Sequence, residues 1–125
     1  MNQLHHLALA VFPPREIHDF YMAILGMKFM RQFTLSAELT QQIFGIPDEI
    51  EVQVVGNENI TLELFIWPQV VPGSFEHICL TVPHRENLIK KAALAGYPVT
   101  RILRDQGDLL FVRDKSGNLF EIKEG

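Results

Sequence analysis

The segment His6-Leu7-Ala8-Leu9-Ala10-Val11 returns 71 residues later as His77-Ile78-Cys79-Leu80-Thr81-Val82, with large apolar residues at the same alternate places after the histidine. Such self-similarity constrains the fold strongly, because each copy is expected to be the same supersecondary unit. A helical stretch ending in glycine follows each copy. In the first, Pro13 and Pro14 stand where a helix begins, and Ile17, Phe20, Tyr21, Ile24 and Leu25 recur at helical spacing before Gly26. The second runs from about Glu86, with Leu88, Ile89, Ala92 and Ala93 on one side, to Gly96 and Pro98. Leu62-Glu63-Leu64 likewise matches Phe120-Glu121-Ile122, but at an offset of 58, so the first copy carries 13 extra residues. They fall at Ser36 to Asp48, where Leu39, Ile43 and Phe44 predict a short helix closed by Gly45 and Pro47.

Four further segments have strand-like alternation or β-branched content: Lys28 to Leu35, Glu49 to Val55, Val99 to Arg104 and Asp108 to Arg113. Gly56-Asn57 and Ser116-Gly117-Asn118 read as turns. The expectation is an α+β fold of two β-α-β-β-β repeats forming a curved mixed sheet around a central cavity, with helices on the outer face. One domain would span residues 1–125, with repeat one at 1–68, repeat two at 74–125 and a short linker at Trp67 to Ser74.

The 125 residues are 47% hydrophobic and 21% charged, enough for a single core without staples. Eleven Lys and Arg against fifteen Asp and Glu give a net charge of −4. The basic residues form no run, which disfavours nucleic acid or an anionic membrane as partner. One cysteine makes no internal disulfide, and the first residues lack the parts of a signal peptide, so the expected location is cytoplasmic. Uninterrupted apolar stretches such as Leu7 to Phe12 are far short of the roughly 20 residues that cross a bilayer.

Side chains alternate between the two faces of a strand, so the facing of each polar residue follows from its neighbours two places away. His6 shares a face with Ala8 and Ala10, and His77 with Cys79 and Thr81, both opposite bulky apolar sets. Glu63 shares a face with Thr61, Phe65 and Trp67, and Glu121 lies opposite Phe120 and Ile122. If the eight strands curve around one cavity, two imidazoles and two carboxylates meet inside it. Two carboxylates held close do not both stay ionised cheaply unless a cation or hydrogen bonds compensate. Nitrogen and oxygen donors suit one divalent ion among Zn, Ni, Fe, Co and Mn. A strand histidine taken singly is usually structural, and a strand glutamate usually solvent-facing; the symmetric placement of all four favours the metal set. His5 reads as structural or terminal, and His18 and His84 belong to a helix and a helix start. Cys79 has no evident activating base and reads as a small cavity-lining residue rather than a nucleophile. No phosphate loop, serine elbow or Cys-x-x-Cys pair occurs.

With these residues the chain resembles the vicinal oxygen chelate superfamily of glyoxalase I, epimerases, ring-cleaving dioxygenases and drug-binding resistance proteins. The likeness spans nearly the whole chain. It rests on His6 to Val11, Phe20-Tyr21 through Gly26 to Phe29, Glu63-Leu64, Glu76-His77 to Val82, and Phe111 through Asp114, Gly117 and Asn118 to Glu121. The resemblance implies paired β-α-β-β-β units around a metal held by His6, Glu63, His77 and Glu121, the four ligand positions of glyoxalase I. It also implies stabilisation of an enediolate of a small oxygenated substrate, with Glu121 as base and Glu63 as partner or second base.

Two departures narrow that expectation. The arginine that helps anchor glutathione in bacterial-type glyoxalase I is Ala10 here, and the asparagine four places after the first glutamate is Trp67. A glutathione-linked substrate is therefore not expected. The anticipated ligand is a small, partly apolar oxygenated molecule lined by Ala10, Phe65, Trp67 and Cys79, covered in part by the helix at Ser36 to Gly45. Lys115-Ser116 replaces the family's usual Pro-Asp and should affect only the last turn. Two alternatives stand beside the lyase or isomerase: an iron-dependent ring-cleaving dioxygenase in which Glu63 is a bystander, and a non-catalytic drug-binding protein using Phe65 and Trp67. Exposed sheet edges, and the family's habit of pairing subunits, imply a homodimer.

Overall fold

A computed structural model describes residues 3–68 and 76–125. The described residues fall into two compact units, one within 1–69 and one within 70–125. Most of the expected linker, Trp67 to Ser74, lies outside the described residues.

The first unit runs β1 (Leu7–Val11), a π-helical segment (Ile17–Met22), β2 (Lys28–Leu35), α1 (Ala37–Phe44), β3 (Ile50–Gly56) and β4 (Thr61–Ile66). The second runs β5 (Ile78–Val82), α2 (Arg85–Leu94), β6 (Val99–Ile102), β7 (Leu109–Arg113) and β8 (Leu119–Glu124). All eight expected strands are present, as two four-stranded mixed sheets ordered β1-β4-β3-β2 and β5-β8-β7-β6. In each unit the first strand pairs parallel with the last, and the remaining pairs are antiparallel. The registers correspond residue for residue: Ala8 lies opposite Glu63 as Cys79 lies opposite Glu121. The offsets of 71 and 58 are therefore reproduced by the strand pairing itself.

One face is dry where the three inner and parallel-paired strands of each sheet meet the helical elements, whereas no residue of the edge strands β2 and β6 is fully buried. In the first unit Val11, Leu62 and Leu64 are fully buried with Phe20 and Tyr21, whose rings meet edge to face at 5.2 Å. In the second, Leu110, Val112, Phe120 and Ile122 are fully buried, and α2 lies against β6, β7 and β8 with Ile89 and Ala92 buried. Burying each such side chain is worth about 1.5–3 kcal/mol. The alternate residues Glu63, Phe65 and Glu121 therefore come to the other face, where they are half-buried.

The inserted helix α1 begins at Ser36, whose Oγ accepts from the Leu39 amide at 3.2 Å, and ends at Gly45 in the left-handed region with φ +73°. Thr40 is its buried residue, whereas Leu39, Ile43 and Phe44 are exposed. The turn with Ser116 in place of aspartate still closes, because the buried Asp114 accepts from the amides of Ser116 and Asn118 at 2.9 and 2.8 Å.

Two local features depart from the sequence expectation, and a third lies outside it. The first helical stretch is widened, with the amides of Ala23 and Leu25 donating to the carbonyls of His18 and Phe20, five residues back. Strand β6 stops at Ile102 rather than Arg104, because the Gly107 amide closes a turn onto the Arg104 carbonyl at 3.2 Å. Helix α2 lacks a cap on its own sequence; Glu124 of β8 accepts from the amides of His84 and Arg85 at 2.7 and 2.9 Å. No helix among the described residues is long and apolar enough to cross a membrane.

A methyl group added at Gly56 would stand 2.3 Å from the Ile60 carbonyl oxygen, a backbone atom. Gly56→Ala is thus expected to cost about 1–3 kcal/mol in urea unfolding, as overpacked sites do. The Glu124 carboxyl is held below its ordinary range by the Arg85 amide and then the His84 amide. A depressed folded value means the contribution is complete above the unfolded pKa and is lost as pH falls through the folded one. Glu124→Gln should therefore melt lower than the wild type at neutral pH, with the gap closing on acidification.

Candidate metal centre

In the first unit, His6 stands one residue before β1, and its strand neighbour Ala8 lies opposite Glu63. With Leu62 and Leu64 committed to the core, Glu63 has only the other face available. The two side chains meet there, His6 Nε2 lying 3.3 Å from Glu63 Oε1 with the Glu63 side chain 15% exposed. The second imidazole nitrogen is also engaged: His6 Nδ1 is 2.9 Å from His5 Nδ1, and the rings stand edge to face at 5.1 Å. With the shared hydrogen on His6 Nδ1, Nε2 presents its lone pair toward Glu63. His5 thus contacts the proposed ligand directly, a role that its place on the bulky side of the strand pattern concealed.

The second unit repeats the arrangement. His77 stands just before β5, Cys79 lies opposite Glu121, and His77 Nε2 is 3.6 Å from Glu121 Oε1. The Glu121 side chain is as sheltered as that of Glu63, at 15% exposure. Cys79 is exposed, and its thiol is pushed up by partial desolvation and then by the Glu121 charge, with Lys123 opposing. A raised thiol is a poor nucleophile, in keeping with a lining role.

Both nitrogen–oxygen separations are longer than the roughly 2.7–2.9 Å of a charge-assisted hydrogen bond. They suit two donors of one cation: ligands about 2.0–2.2 Å from a metal at tetrahedral or octahedral angles lie about 2.8–3.6 Å apart. The donor chemistry of each pair therefore fits a divalent ion. Within each unit, among the described residues, no group of three or more His, Cys, Asp or Glu side chains gathers to hold a metal. Each unit supplies one His–Glu pair.

Beside the first pair lies an apolar pocket of about 170 Å³, walled by Ala8, Ala10, Phe65 and Trp67 from the sheet and by Thr40 and Phe44 from α1. Ala10 is opposite Phe65 in the ladder, and the Trp67 amide extends that ladder by donating to the Val11 carbonyl at 3.1 Å. Phe44 meets Phe65 edge to face at 5.4 Å. Three of the four expected lining residues, Ala10, Phe65 and Trp67, are thus brought together, while Cys79 lies in the other unit beside Glu121. A larger open cleft of about 610 Å³ at the β2 and β3 ends, lined by Lys28, Met30, Asn57 and Asn59 among others, shares none of these residues.

Comparison with known proteins identifies the family. Residues 3–122 match the sequence model of the Glyoxalase/Bleomycin resistance protein/Dioxygenase superfamily. A search of curated proteins gives no match. Among solved structures, the fosfomycin resistance protein FosX from Listeria monocytogenes is similar at 15% identity and a TM-score of 0.76, covering 100% of this chain and 94% of that one. FosX from Mesorhizobium loti is similar at 11% identity and 0.72, covering 100% and 93%. A glyoxalase family protein from Enterococcus faecalis is similar at 18% identity and 0.67, covering 96% and 95%. At these identities the structural likeness speaks for the fold, and with the sequence match over nearly the full length it has one reading: the chain belongs to the glyoxalase, bleomycin resistance and dioxygenase superfamily.

Proposed function

We propose that this protein is a metal-dependent lyase or isomerase of glyoxalase I type, acting on a small oxygenated substrate that is not linked to glutathione. The supporting observation is the pair of His–Glu contacts at matching register positions, 3.3 Å in one unit and 3.6 Å in the other. In this reading His6, Glu63, His77 and Glu121 hold one divalent ion. The Listeria FosX protein has been crystallised with Mn(II), which keeps manganese among the candidates. When bound, such an ion supplies Lewis acidity that stabilises negative charge developing on a substrate oxygen.

The chain's own groups do the rest. Glu121 takes the proton from the carbon next to the substrate carbonyl; the C–H electron pair moves toward the neighbouring oxygen, and the proton returns to the adjacent carbon. Glu63, mounted identically, is the partner carboxylate. His5 lies 2.9 Å from His6 Nδ1, and by accepting the hydrogen of that nitrogen it would hold the ring in the tautomer that frees Nε2. Ala10, Phe65 and Trp67 keep water from one side of the reacting centre.

The ligand in one Listeria FosX complex is a dihydroxypropylphosphonic acid. A phosphonate is best held by cationic donors. The pocket beside His6 and Glu63 is lined by none, which favours a less charged substrate here. The proposed assembly is a homodimer.

Metal analysis after gentle purification tests the reading. His6→Ala and His77→Ala should each weaken metal affinity at least about 100-fold, and His5→Ala about 10- to 100-fold as outer partners do. Glu121→Gln should keep the metal yet slow solvent-deuterium exchange next to the carbonyl of an α-hydroxy ketone about 10²- to 10⁴-fold. Unchanged exchange in that variant removes Glu121 as the base, and oxygen uptake with a catechol would instead mark a ring-cleaving dioxygenase. Co-refolding the His6→Ala and His77→Ala chains discriminates the assembly. About a quarter of the wild-type metal returns if the pairs join across two copies, and none if they join within one chain.

A further inference from the structure

The pocket next to the first His–Glu pair has a size and chemistry of its own. Its near edge is Ala8, which lies opposite Glu63 in the ladder, so an occupant begins within one side-chain spacing of the proposed metal donors. The corresponding residues of the second repeat, Cys79 and Thr81, are small too but carry a thiol and a hydroxyl, so only the first unit presents a purely hydrocarbon floor here. The outer wall is α1, which belongs to the 13-residue insertion and has no counterpart in the second unit. That wall is built in advance, by the Ser36 cap at one end and Gly45 at the other.

No lining side chain carries a charge. The one hydroxyl, on Thr40, already donates to the Ser36 carbonyl at 2.9 Å. A retained water needs two to four polar partners, and this lining offers few. Three aromatic rings, Phe44, Phe65 and Trp67, instead present surface, and Phe44 is 50% exposed. The pocket is open to solvent on one side, and its volume of about 170 Å³ gives room for one ring, as does the roughly 150 Å³ enclosed apolar cavity that accepts benzene.

We infer that this pocket is a subsite for one ring-sized apolar group carried by the substrate, whose adjacent oxygens reach the His6 and Glu63 end. The substrate class is thus an aryl-substituted α-oxygenated carbonyl compound. The inference rests on the metal-dependent reading for the placement of the oxygens, but the apolar subsite is testable apart from it. Benzohydroxamate and acetohydroxamate offer the same pair of chelating oxygens and differ in the ring. Trp67 is the only tryptophan, so its emission reports occupancy directly.

In the metal-loaded protein, benzohydroxamate is expected to bind at least about tenfold more tightly than acetohydroxamate, from the apolar area that the ring removes from water. Ala10→Leu, which fills the pocket, should bring the ratio to near one, and Phe44→Ala, which removes a wall, should lower it; circular dichroism verifies folding of each. In metal-free protein, toluene should change Trp67 emission saturably in the wild type and not in Ala10→Leu. A wild-type ratio near one, or a ratio that survives in folded Ala10→Leu, overturns the subsite. A saturable toluene response in a protein that takes up no metal supports the subsite and overturns the metal-dependent reading.

Discussion

Everything proposed for this chain depends on strand register between the first and last strands of each unit. A one-residue slip of β4 against β1 would exchange the faces of the strand, turning Glu63 into the core and Leu62 and Leu64 outward. The fully buried Leu62, Leu64, Phe120 and Ile122 make that exchange costly in both directions, since a carboxylate would lose its hydration as leucine and isoleucine gained contact with water. Core packing and site geometry are in this sense one constraint. The residues that glue each helix or helical turn to its sheet also aim a carboxylate at a histidine on the opposite face.

Alternation made much of this readable from the sequence. The period of two around Glu63 and Glu121 sorts each strand into a dry and a polar face, and the offsets of 71 and 58 placed the 13-residue insertion where α1 occurs. The less legible features are those decided by partners distant in sequence or by closure geometry. Glu124 caps α2 from forty residues away, so no local motif announces the helix start. The turn that ends β6 early depends on Gly107 reaching a φ of +110° and on a bond back to Arg104. In the first helical stretch, apolar residues at 17, 20, 21 and 24 bury one face whether bonds run four or five residues back, so the pattern does not distinguish the two. His5 escaped because alternation assigns it to the face opposite His6, whereas its ring, ahead of the first ladder residue, turns to reach its neighbour.

The two repeats are equal in topology and unequal in lining. The first surrounds its His–Glu pair with alanines, aromatic rings and an added helix. The second places Cys79 beside its own, with the Glu121 and Lys123 charges both near enough to bear on the thiol in opposite senses. A duplicated scaffold of this kind holds the His and Glu positions fixed through shared register, leaving the intervening same-face residues free to diverge. Within the proposed function that divergence separates two tasks. The first unit supplies an apolar site that selects the substrate by shape, and the second supplies the carboxylate that moves a proton. The insertion is tolerated because α1 lies between β2 and β3, an antiparallel pair whose register is set along Lys28 to Leu35 and Ile50 to Gly56 rather than by the connection's length. Specificity in the first repeat can therefore vary through that helix without disturbing the β1 and β4 pairing that holds His6 and Glu63 together.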